Sequence, residues 1–152
     1  MDHSQLMITS DVAEVLGVLL GDGCVFQYDK DHGQINGVAF TGHSSELGYY
    51  ENFVKPVIEV FFAVHGRLNL RKDNTTRYRI YSKSLVLTLV ALGIPVGKKF
   101  DAHIPKVVIQ SGKVVPFIRA SIMQRGQFIG GIRNGTRDMQ RFTATSLIYK
   151  FG

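Results

Sequence analysis

Residues 11 to 23, Asp-Val-Ala-Glu-Val-Leu-Gly-Val-Leu-Leu-Gly-Asp-Gly, restrict this chain more than any other stretch. Val12, Val15, Leu16, Val18, Leu19 and Leu20 go almost all the way round a helix. No polar stripe is left for water, so the helix must be packed on several sides. Gly17 and Gly21 are four apart and share one face, where a second backbone can come very close, the arrangement best described for membrane helices. The run is too short to span a bilayer. Asp11 with Glu14 predicts a capped start, and Gly23 suits the left-handed residue that ends a helix. Asp22 is the misfit. A carboxylate in the last turn meets the negative end of the helix dipole, at a cost of about 0.3 to 1 kcal/mol when exposed, and a cation beside it would reverse the sign.

The most informative polar stretch lies further on. Gly66-Arg67-Leu68-Asn69-Leu70-Arg71-Lys72, a turn through Asp73-Asn74, and Thr76-Arg77-Tyr78-Arg79-Ile80-Tyr81 alternate cleanly, as two strands of a hairpin should. Leu68, Leu70, Tyr78 and Ile80 fall on one face; Arg67, Asn69, Arg71, Arg77 and Arg79 fall on the other. Like charges opposite one another repel across a sheet, so four arginines without an acid suggest a surface meant for phosphates and guanines. The net charge of +6 points to the same polyanionic class of partner.

Between and after these stretches the elements follow in order. Cys24 to Lys30 and Gln34 to Thr41 form a first hairpin about Asp31-His32-Gly33, with Phe26, Tyr28 and Lys30 on one face and Val25 and Gln27 on the other. Ser44 or Ser45 opens an amphipathic helix to about Val64, with a kink expected at Pro56. Ser82 opens a third helix, Lys83 to Leu92, ended by Gly93. The lone Cys24 excludes a disulfide framework and a cysteine zinc site, and the five histidines show no ligand spacing. The N-terminus lacks a basic region followed by an apolar one, so an intracellular, cytoplasmic protein away from membranes is expected.

Leu16-Gly17-Val18-Leu19-Leu20-Gly21-Asp22-Gly23 resembles the motif of LAGLIDADG homing endonucleases, in which two such helices pack together and each places an acid at the base of a DNA-cutting site. Helix, hairpin, helix, hairpin, helix is the αββαββα order of one half of that family. The resemblance therefore implies an α+β fold, an antiparallel saddle-like sheet with helices on one face. It implies a half-domain and linker over 1–119 and an irregular remainder. It further implies Asp22 as metal ligand and catalytic residue, Gly21 as a second metal-binding residue, Mg2+ (or Mn2+) as cofactor, and double-stranded DNA as partner. Lys98 and Lys99 lie where some members carry a lysine that supports the cut. Phe26, Tyr28, Lys30, Arg67, Asn69, Arg71, Arg77 and Arg79 would contact DNA. Members often carry a polar Gln or Lys just after the second strand to organise water; Gly42-His43 stands here instead, and His43 either substitutes for it or, the preferred reading, is an exposed loop residue beside the cap of the second helix.

The remainder departs from the pattern. Val114-Val115-Pro116-Phe117-Ile118-Arg119 resembles the lead-in to a second motif, but Ala120-Ser121-Ile122-Met123-Gln124-Arg125-Gly126 supplies no acid. The segment 120–152 therefore reads as a disrupted second repeat or an out-of-frame tail, since re-reading from each codon's third base permits Gly-Ile-Tyr-Asn-Ala-Glu-Gly there. With no second motif to cover Gly17 and Gly21, two copies of the Asp11 to Gly23 helix are expected to pair as a homodimer. The function expected is site-specific, metal-dependent double-strand DNA cleavage of the intron-homing type. A non-cleaving DNA- or RNA-binding protein, such as a maturase or regulator, is the alternative, with an inactive fragment as a third.

Overall fold

The computed structural model describes residues 7–98 and 103–128, and in it the opening apolar run forms helix α1 (Ser10–Asp22). Val12, Val15, Leu16, Val18, Leu19 and Leu20 are all buried, as a helix apolar all round requires. Its start differs from expectation. Thr9 caps it, Oγ1 accepting the Val12 N–H at 3.2 Å, while Glu14 accepts a hydrogen bond from the Tyr49 hydroxyl at 2.8 Å. Gly23 is a second correction. At φ -91° and ψ 172° it is extended, so the chain passes straight into the sheet. Glycine is needed there for room, because a Cβ would lie 2.5 Å from Leu19 Cδ1 and 2.8 Å from the Leu19 carbonyl oxygen.

Strands β1 (Gly23–Lys30), β2 (Gly33–His43), β3 (Arg67–Leu70) and β4 (Thr75–Tyr81) make one antiparallel sheet in the order β1-β2-β4-β3. Val25 faces Val38, Val38 faces Ile80 and Phe40 faces Tyr78, and all five are buried with α1 in one core. Because side chains alternate along a strand, the residues between them occupy the opposite, outer face. The Phe40 and Tyr78 rings stack at 5.8 Å, and Tyr50 meets Phe40 edge-on at 6.2 Å.

The single helix expected from Ser44 to about Val64 is a composite. A 3-10 turn (Ser44–Glu46) leads into α2 (Leu47–Tyr49), a π segment (Tyr50–Val54) and α3 (Lys55–Phe62). Pro56 accounts for the change of pitch. It has no N–H to give back to the preceding turn, and the wide turn before it is closed instead by the Lys55 N–H donating to the Tyr50 carbonyl. Helix α4 (Lys83–Ala91) begins as expected at Ser82, whose hydroxyl accepts the Leu85 N–H at 3.1 Å. Helices α5 (Lys106–Gln110) and α6 (Val114–Phe128) follow.

Glu59 on α3 ties this helix to the sheet. It accepts the Gly66 N–H at 2.9 Å and the Tyr78 hydroxyl at 3.0 Å. Burial pushes its carboxyl up, but these hydrogen bonds together with Lys55 at 4.0 Å outweigh it and hold the pKa below the usual range. A depressed carboxylate stabilises the fold fully above its unfolded pKa, and that contribution is lost as pH falls through the folded value. Glu59→Ala should therefore cost about 1 to 3 kcal/mol at pH 7 by stranding the Tyr78 hydroxyl. The gap to the parent should narrow below about pH 4.3, the ordinary glutamate value. Urea unfolding at the two pH values checks this, and equal midpoints at pH 7 would refute it.

Helix α6 carries the chain from the half-domain into the segment that supplies no acid. It runs unbroken through residue 119 to Phe128, and Phe117 and Ala120 are buried on α1. A Cβ placed on Gly17 would lie 2.2 Å from the Phe117 carbonyl oxygen and 3.0 Å from the Ala120 Cβ. The Gly17 face is thus covered from within the chain. The homodimer expected through Gly17 and Gly21 would have to displace α6. The tail beyond Phe128, with Arg133, Arg137, Arg141 and Lys150, lies outside the described residues.

Candidate nucleic-acid interface

The strand register gathers the predicted contact residues on the outer face of the sheet. Asn69 faces Arg77, which faces Thr41; Arg67 faces Arg79, which faces Ala39 beside Cys24; Tyr81 faces Gly37, which faces Phe26. Tyr28 and Lys30 continue β1 outward opposite Ile35 and Gly33. Arg71 is placed just past β3, its N–H donating to the Thr75 carbonyl at 2.8 Å in the turn closed by Asn74. All eight residues expected to contact DNA therefore lie on one surface or its rim. Tyr81 belongs with them and was missed, although it continues the period of Arg77 and Arg79.

This face is electrostatically strained on its own. Partial burial first, then the neighbouring Arg79 and Arg71, lower the pKa of Arg77. The Arg79 Nε is buried without a hydrogen-bond partner among the described residues, and its Nη1 donates to the Tyr81 hydroxyl at 3.4 Å. Cations crowded in this way gain from an anion laid across them.

Asp22 stands where α1 meets β1, half-buried beside Gly21. The loop after α4 is pinned to the same place: Val96 bridges Val25, and the Gly97 N–H donates to the Val25 carbonyl at 2.8 Å. That anchor sets Lys98, exposed, one residue beyond it; Lys99 lies outside the described residues. From the other side comes Glu46, which the sequence reading overlooked. Its Oε2 accepts the His43 N–H at 2.6 Å and would lie 2.5 Å from a Cβ on Gly42, so the bare glycine gives it passage. The Tyr50 ring lies against the same glycine, 2.9 Å from that Cβ position at Cε2. Its hydroxyl is buried without a hydrogen-bond partner among the described residues. Burial first, then the charges of Glu46 and Asp22, raise its pKa, so both carboxylates act on one phenol. His43 caps the following turn, Nδ1 accepting the Ser45 N–H at 3.1 Å, as its exposed position suggested. No group of three or more His, Cys, Asp or Glu gathers among the described residues. No helix among them is long and apolar enough to cross a membrane.

Three solved structures share this architecture. Mesophilic variants of the homing endonuclease I-DmoI match at a TM-score of 0.56 and 15% identity, over 76% of this chain and 61% of theirs. I-DmoI in complex with DNA and Ca matches at 0.53 and 16%, over 77% and 58%. A double variant of I-DmoI with its target DNA nicked in one strand, in the presence of Mn, matches at 0.54 and 17%, over 76% and 60%. No protein-family model matches the sequence, and no curated protein matches it. The chain has the fold of the LAGLIDADG homing endonucleases, with its four-stranded sheet and flanking helices matching one half-domain. It spans about 60% of the length of these structures.

Proposed function

We propose that this chain binds double-stranded DNA sequence-specifically through the outer face of its sheet, and that Asp22 marks a metal-dependent cutting site beside it. The observation that carries the reading is the row of Arg67, Asn69, Arg77 and Arg79 on a face whose strand positions hold no carboxylate, continuous with Phe26, Tyr28, Lys30 and Tyr81. A ribbon of that width fits a major groove, where an arginine grips guanine O6 and N7 with two hydrogen bonds. Two of the structural neighbours were solved in complex with DNA, which supports DNA as the class of partner.

The donors at the corner suit a hard divalent cation, since both the Asp22 carboxylate and the Gly21 carbonyl offer oxygen. Mg2+ or Mn2+ held there would polarise a phosphate and ease deprotonation of an attacking water. The chain's own part is to bring the phosphate to Asp22 by docking the arginines on either side. Lys98, on its anchored loop, would offset negative charge developing at the leaving oxygen. Lys99 is its neighbour in sequence. Double-strand cleavage needs an acid at each of two phosphates, and α6 contains no Asp or Glu. Asp22 by itself accounts for one strand. That same lack of an acid favours the second reading, a binding protein without cleavage, which a bound but intact duplex in Mg2+ would establish.

Replacing Arg77 or Arg79 with alanine should relax base preference and cost about 1 to 3 kcal/mol if the residue grips guanine. Binding titrations on duplexes selected from a random library, repeated at several salt concentrations, check this. A loss equal for all sequences, with a shallower salt slope, would make that residue a phosphate contact. Absence of any selected sequence would overturn the DNA-binding reading.

A further inference from the structure

We propose that Phe26, Tyr28 and Tyr81 form an apolar reader of thymine methyl groups in the outer part of the bound site; this rests on the DNA-binding reading above and deepens it. The three rings make one cluster, with centroids 5.9 Å apart between Phe26 and Tyr28 and 5.8 Å between Phe26 and Tyr81. Gly37 makes room for it. A Cβ there would lie 2.5 Å from Phe26 Cζ, so the ring lies down over bare backbone instead of standing off the sheet. Tyr28 remains 50% and Tyr81 60% exposed, an aromatic surface left wet where water gains nothing from it. Arg79 sits in the adjoining row and reaches the Tyr81 hydroxyl. An apolar patch joined to cations in this way suits a ligand that is anionic outside and apolar at one point. In the major groove only thymine offers an apolar group, its C5 methyl. Base stacking fits less well. The Phe26 ring lies over Gly37 and stands at 33° to Tyr28 and 71° to Tyr81, so the three rings present no set of parallel faces.

Phe26 is four residues beyond Asp22, which ends α1 where β1 begins, roughly 13 Å at strand spacing, or about four base pairs of duplex. The test takes the duplex that the full chain selects from a random library and replaces its thymines one at a time with deoxyuridine. That change removes the methyl and keeps pairing and O4. At least one thymine about four base pairs from the phosphate at Asp22 should lose about fourfold in affinity, the worth of one buried methyl group. The loss should vanish in Phe26→Ala and in Tyr81→Ser, the latter at an exposed position that leaves the core intact. Indifference to uracil throughout overturns the inference while leaving DNA binding in place. So does a uracil penalty that persists in both variants, or tighter binding to the single strand than to the duplex. A chain that selects no sequence overturns both readings together.

Discussion

Gly17→Ala should destabilise the protein by about 3 kcal/mol, the upper end of what overpacking costs, and lower its melting temperature by about 6 to 12 °C. The sign is the informative part. On an open helix face alanine is the better helix former by about 1 kcal/mol. Here the added Cβ would stand 2.2 Å from the Phe117 carbonyl oxygen and 3.0 Å from its carbon, and both belong to backbone that cannot rotate away. The Ala120 Cβ, also at 3.0 Å, closes the other side. Helices α1 and α6 would have to separate, and with them the core contacts of Phe117 and Ala120. A loss of that size is a large share of the about 5 to 15 kcal/mol that holds a domain together. Thermal and urea unfolding of the two proteins, with amide exchange over 114–122, measure it. A variant as stable as the parent or more so would mean that α6 does not occupy this face, and pairing between copies would again be open.

What could be read in the sequence follows from how local each cause is. The apolar girdle of α1, the alternation of β3 and β4 and the Ser82 cap are set by neighbours within a few residues, and each stands as expected. The start of α1 does not. Glu14 bonds to Tyr49, thirty-five residues away, a contact that no capping pattern contains, and the cap falls to Thr9. Gly23 has a similar cause: it reads as a left-handed stop, yet it is kept small by the Leu19 side chain. The missing acid in 120–126 says nothing against a helix there. A helix needs only a packed face, and Ala120 was the small residue in the sequence that offered one to Gly17. That Glu46 and Asp22 act on one phenol was beyond sequence reasoning, because an intervening hairpin separates them in the chain.

Asp22→Asn should remove any Mg2+- or Mn2+-dependent nicking while changing affinity for the selected duplex by less than about tenfold, or about 1.4 kcal/mol. The expected loss of activity exceeds the about 10- to 100-fold cost of losing a residue that merely holds a ligand in place, because the carboxylate itself is the donor. Affinity should hold, since docking is the work of the arginine face and the substitution takes one negative charge away from a polyanion's approach. The amide keeps the shape at the end of α1, and thermal unfolding of variant and parent side by side reports on the fold separately from the cut. Gel assays on a supercoiled plasmid carrying the selected site separate the outcomes. A nicked circle from the parent and intact plasmid from the variant support Asp22 as the cutting residue. Continued nicking by the variant would exclude it, and a collapse of binding would give Asp22 a structural role instead. A linear product from the parent would be the most instructive failure: α6 lacks any acid, so the second strand would require one from elsewhere. Glu46, set on the same phenol as Asp22, would be the first to replace.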